Sequence, residues 1–157
     1  MRYFLIGALA LASASQCPAA SPPGDPAAPV RAFIDAFNKG DAATGFATHA
    51  PGDVSITDEF APYHWSGRGA AQAWAAGYER TAKANGISDG IVGYGRPTRI
   101  ERSGGAAYVV LPTTYRFKQR GRAMAEAGSI TAVVVRVGNA WKMRSWTWSS
   151  PAAHPLR

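Results

Sequence analysis

The sequence predicts an α+β domain: a curved antiparallel sheet packed on about three N-terminal helices, with a pocket in the concave face. Three observations predict it. Apolar residues recur at helical spacing in the first part of the chain and alternate with polar ones in the second. Glycine-bearing turns separate the alternating runs into successive hairpins. Val54, Ile56, Asp58 and Phe60 alternate with Ser55, Thr57 and Glu59, so Asp58 shares a face with apolar residues. A carboxylate on a core-facing side needs a partner or lines a cavity.

The elements follow in order. Met1 to Tyr3 is a short positive stretch, Phe4 to Ala12 is apolar, and Ala12, Ser13 and Ala14 give a small-x-small cleavage pattern. Residues 1–20 are therefore read as a secretory signal peptide, cut after Ala14 or Ala20, which predicts an exported, periplasmic or secreted protein. Cys17, the single cysteine, excludes an internal disulfide framework and sits in a poor lipoprotein motif. Residues 21–29 read as a Pro-rich linker. The domain is placed at 30–150 and a tail at 151–157. Val30, Phe33, Ile34 and Phe37 mark a first helix that Gly40 stops. Asp41 caps a short second helix carrying Phe46 toward the core. A strand at 54–58 leads to a Pro turn bearing Tyr63, His64 and Trp65. A third helix then runs from near Ser66 to Gly69 as far as Asn85. Its buried stripe is Ala70, Trp74, Gly77, Tyr78 and Thr81. Strands are expected near 91–101, 106–118, 123–137 and 140–149, with Pro112 at an edge or bulge.

Composition narrows the function. The net charge of +7 favours anionic ligands or an anionic membrane face, but no long Lys/Arg run or aromatic-basic interleaving suits nucleic acid. No apolar run after the signal is long enough to span a bilayer. No metal-ligand spacing, nucleophilic-serine motif or nucleotide loop occurs, so neither metal nor cofactor is expected.

Three stretches carry a resemblance: Val30 to Asp41, Ile56 to Phe60 with Trp65 to Gly67, and Gly138 to Trp148. Together they resemble the SnoaL-like proteins of the nuclear transport factor 2-like superfamily, over roughly residues 28–150. The resemblance implies a cone, a bent sheet wrapped over helices with a pocket in its concave face. Family members include isomerases, cyclases and dehydratases. Their catalytic residues do not carry over. The first helix offers Phe33 and Phe37 where the steroid-isomerase pattern needs a phenol, and no aspartate follows Asp89 on the later strands. The cyclase-type histidine is missing between His64 and His154.

Asp58 is the candidate base, since burial raises a carboxylate's pKa toward neutrality. The alternative is a hydrogen-bonded acid that only fixes the turn. His64, six residues on, is its candidate acid partner or orienter, or else a solvated turn residue. Tyr115 shares a strand face with Thr113 and Phe117 and is a candidate donor to a ligand carbonyl. Tyr63, Trp65, Trp74 and Tyr78 are candidate ligand-binding aromatics, or core. His49 is expected as a helix C-terminal residue matched to the dipole. Trp146 and Trp148 alternate with Ser145 and Thr147. If Met143 points inward they point outward, which predicts a homodimer through that face. The expected function is binding of a small, partly apolar molecule, with cofactor-independent isomerase- or dehydratase-type proton transfer. The alternative is a non-catalytic carrier or dimeric interaction module.

Overall fold

A computed structural model describes residues 24–156. The signal peptide and Cys17 lie outside the described residues. The chain forms α1 (Ala28–Lys39), α2 (Ala42–Ala47), β1 (Val54–Thr57), β2 (His64–Gly67), α3 (Ala70–Asn85), β3 (Ile87–Tyr94), β4 (Arg99–Ser103), β5 (Ala106–Gln119), β6 (Arg122–Val137), β7 (Ala140–Ser149) and β8 (His154–Pro155). The fold is α+β, as the sequence predicts: three helices against one curved, unclosed sheet.

Local chemistry explains the helix ends. Pro29 in the first turn of α1 gives up an amide that would have no helical partner. Gly40 ends α1 with a left-handed backbone whose N–H reaches back to Ala36 O and Phe37 O. The Asp41 side chain accepts from Thr44 N at 3.0 Å and starts α2. α3 carries a glycine mid-helix because a side chain has no room there. A Cβ on Gly77 would lie 3.2 Å from Phe60 and 3.3 Å from Trp65.

The strand order is β2-β1-β7-β6-β5-β3, with β4 on β5 and β8 on β6. β1 lies parallel to β7, so the sheet is mixed rather than the antiparallel meander expected. The strand expected at 91–101 is two strands, because Gly95 to Thr98, with Pro97, interrupts the run. β3 and β4 share one edge of β5, along 113–119 and 106–110 respectively. Pro112 sits at that changeover, neither at an edge nor in a bulge, and its carbonyl accepts from Gly95 N at 3.0 Å.

Both expected flanks join the fold. Trp141 Nε1 donates to Gly24 O at 2.8 Å, Asp25 pairs with Arg31, and Ala27 is buried. In the stretch read as a tail, β8 pairs with Met124 and Ala125 of β6. The core lies between helices and sheet, around Val30, Phe33, Ile34, Ile56, Leu111, Val134 and Met143.

The outward tryptophans need correction. The register between β6 and β7 shifts between Val133 and Val134: Val134 pairs with Met143, but Val133 pairs with Ser145. Arg144 is the extra residue of a β-bulge. An extra residue reverses the alternation beyond it. Met143 and Trp146 therefore both point inward, at 0% and 3% exposure. Trp148 packs against the same core, half-buried. These two side chains do not form an outer contact face, and the dimer expected through them loses its basis.

Candidate active site in the concave face

The inward faces of the sheet and of α1 and α3 line a cavity of about 80 Å³. Its walls are aromatic: Phe33 and Phe37 from α1, Trp74 and Tyr78 from α3, and Phe60 beyond β1. Tyr115 of β5 and Trp146 and Trp148 of β7 complete the ring. Ile34, Val92 and Ile130 add aliphatic surface. The remaining lining residues are three acids, Asp58, Glu59 and Glu126.

Asp58 follows β1 directly and keeps that strand's inward alternation. Its Oδ2 accepts from Trp74 Nε1 at 2.8 Å and its Oδ1 from Glu59 N at 2.7 Å. Burial pushes its pKa up to about 6; the two donors hold it down and the Glu59 charge adds to the rise. Asp58 is thus ionised at neutral pH yet more basic than an ordinary aspartate.

Glu126 faces it from β6. The residue is 4% exposed. Burial pushes its carboxyl up to about 8, helped by a hydrogen bond with Glu59 and by the charges of Glu59 and Asp58. Ser150 Oγ donates to Glu59 Oε2 at 3.0 Å and anchors the pair at the end of the sheet.

Tyr115 and Tyr78 meet across the cavity wall, hydroxyl to hydroxyl at 2.5 Å. Burial pushes both phenols up. Tyr115 fits only because a bulge in β3, between Ser88 and Ile91, places Gly90 against it. A Cβ on Gly90 would lie 2.5 Å from the Tyr115 hydroxyl.

The other sequence candidates lie elsewhere. His64 begins β2, exposed, opposite Thr57, and no hydrogen bond joins it to Asp58. Tyr63 is 60% exposed. Its carbonyl accepts from Asp58 N at 3.1 Å, so it closes the turn through its backbone. Trp65 is buried behind the cavity against Phe60, ring centroids 4.9 Å apart. His49 is buried rather than matched as a cation to a helix end. Its Nε2 accepts from Trp146 Nε1 at 3.0 Å while Nδ1 lies 3.1 Å from Gly45 O. Only a neutral ring with the proton on Nδ1 satisfies both, and burial lowers its pKa accordingly.

Glu126 and Trp146 went unrecognised as cavity residues. The signal for Glu126 was in the sequence. The tight turn at Arg120 and Gly121 pairs Gln119 with Arg122, which sets Tyr115 opposite Glu126. Trp146 had no comparable signal, because the Arg144 bulge leaves no mark in composition. Among the described residues no three His, Cys, Asp or Glu side chains are placed to hold a metal ion. Nor is any described helix long and apolar enough to cross a membrane.

The model of the SnoaL-like domain family matches residues 27–153. No curated protein matches the chain in sequence. Solved structures share the fold at low identity. A hexachlorocyclohexane dehydrochlorinase, LinA type 2, superposes with a TM-score of 0.67 at 14% identity, covering 83% of this chain and 88% of its own. A ketosteroid isomerase-like protein from Erwinia carotovora atroseptica gives 0.61 at 17% identity, covering 80% and 92%. A nuclear transport factor 2-like superfamily protein from Salmonella enterica gives 0.64 at 17%, covering 80% and 87%.

Proposed function

This chain belongs to the SnoaL-like domain family, and we propose from that premise that it binds a small, partly apolar molecule in the concave cavity and moves a proton on it. The observation that carries this is Asp58: a carboxylate in an aromatic cavity, oriented by Trp74 and poised near neutrality. A general base works best with a pKa near the working pH and inside a site that excludes water. The Tyr115 and Tyr78 hydroxyls form the polar wall against which a developing oxyanion rests. Abstraction by Asp58 from a carbon next to a carbonyl, with the phenols holding the enolate oxygen, gives isomerase- or elimination-type chemistry without a cofactor. A dehydrochlorinase and an isomerase-like protein on the same fold support the reading as analogy. His64 has no part in it.

The test is α-proton exchange. Small enolisable ketones are incubated in D₂O with the protein and followed by NMR. The wild-type protein should accelerate exchange, with the rate rising as pH passes about 6. Asp58→Asn should lower it roughly 100-fold or more. Exchange that is no faster than buffer, or unchanged in Asp58→Asn, would sink the proposal. Export belongs to the same reading: the first 20 residues should direct the mature domain out of the cytoplasm, which fractionation of a tagged chain would reveal.

A further inference from the structure

We propose that the molecule taken by this cavity is a small organic cation, an ammonium group flanked by apolar carbon. The inference rests on the cavity being the binding site and adds the charge of its ligand. The first argument is sign. The chain carries 17 Lys and Arg against 10 Asp and Glu. Yet among the described residues no Lys, Arg or His lines the cavity, and the ionisable groups there are three carboxyls and two phenols. Among the described residues, the neighbouring charges that shift Asp58, Tyr78, Tyr115 and Glu126 come from one another and from Glu59. None of the ion pairs among the described residues involves Asp58, Glu59 or Glu126. An anion would be repelled, and a cationic group on the ligand would supply the buried Asp58 carboxylate with a counter-charge.

The second argument is the wall. Eight of the fourteen lining residues are aromatic. Trp74 and Trp146 stand edge to face at 5.1 Å, and Trp74 and Tyr78 stack at 6.1 Å. These rings line the hollow, and aromatic rings attract quaternary ammonium groups through their π surfaces. Walls dominated by such rings suit an alkylated cation, whose surface is apolar and whose charge is diffuse. Asp58, Glu59 and Glu126 give the direction of the charge; the rings give the shape.

The decisive pair of probes is choline and its neutral carbon analogue, 3,3-dimethylbutan-1-ol, titrated calorimetrically into the mature protein with tryptophan emission as a second readout. At pH 8 choline should bind at least about tenfold more tightly than the alcohol. At pH 5, where Asp58 and Glu126 are mostly protonated, the preference should fall severalfold, and a preference unchanged from pH 8 would overturn the part given to the carboxyls. Glu126→Gln should weaken choline by a larger factor than it changes the alcohol, narrowing the preference at pH 8. Should that variant misfold, the wild-type pH dependence decides alone. Equal or tighter binding of the alcohol, or no saturation by choline in the millimolar range, overturns the inference. Loss of choline preference alongside Asp58-dependent exchange of neutral ketones would remove the cation and keep the base. Choline preference without Asp58-dependent exchange would do the opposite.

Discussion

Asp58 and Trp74 form the smallest unit whose behaviour follows from geometry. The indole N–H favours the carboxylate form, so it lowers a pKa that burial has raised. Trp74→Phe keeps the ring and removes the donor. The Asp58 pKa should rise further, and the acid limb of the pH–rate profile should move to higher pH by roughly one unit. Trp146→Phe is the control, since that indole donates to His49 instead; a limb that moves equally in both variants would refute the assignment. Gly90 sets a second residue-scale condition. Its missing side chain makes room for the Tyr115 hydroxyl. Gly90→Ala should cost about 1–3 kcal/mol in urea unfolding, and Tyr115→Phe in the same chain should recover part of it. An unaffected midpoint in Gly90→Ala would show that the bulge does not hold the phenol.

Bulges decide what each strand contributes to the site. Asp58 was legible because β1 alternates without interruption, and Tyr115 because β5 does. The face of Trp146 was not, because one extra residue at Arg144 reverses the parity of β7 and nothing in the side chains announces it. Likewise the β3 bulge at Asp89 and Gly90 is a backbone decision made against Tyr115, a partner distant in sequence. The helices were legible nearly to their ends, since their capping residues act locally. Flanking residues 24–29 and 151–155 read as linker and tail because short Pro-rich segments show no periodicity. Their places come from tertiary hydrogen bonds such as Trp141 to Gly24. The bulge yields its own test. Deleting Arg144 joins Met143 directly to Ser145 and makes the pairing with β6 regular, so Met143, Trp146 and Trp148 should all stay on the inner face. The tryptophan emission of that variant should match the wild type. A red-shifted spectrum would show that the register moves instead.

Across the whole molecule the cavity's chemistry should appear as an unusual pH dependence of stability. Asp25 and Asp41 behave ordinarily: partners hold their carboxyls low, so they stabilise the fold once pH exceeds the ordinary carboxylate range. Buried His49 also favours higher pH, since the folded state excludes its proton, and that gain is complete about one unit above its ordinary value of 6.5. Asp58 and Glu126 act in the reverse sense. Their folded-state pKa values lie above the ordinary ones, so the folded protein holds their protons more tightly than the unfolded chain does. The stability they contribute is present at low pH and is lost as pH rises, to about 6 for Asp58 and about 8 for Glu126. Between pH 6.5 and 8 the remaining His49 and Asp58 contributions oppose each other, and Glu126 governs the slope. The melting temperature should therefore fall across that interval. Glu126→Gln, which keeps the shape and removes the titration, should flatten the fall and melt roughly 3–6 °C higher at pH 8. The difference should be smaller at pH 6.5. A cavity that stabilised an ionised Glu126 would give the opposite slope, and a variant less stable at pH 8 would show that the carboxylate is held there by a counter-charge. A saturating organic cation in the cavity supplies such a charge. The wild-type melting curve should then lose its downward slope while that of Glu126→Gln changes little.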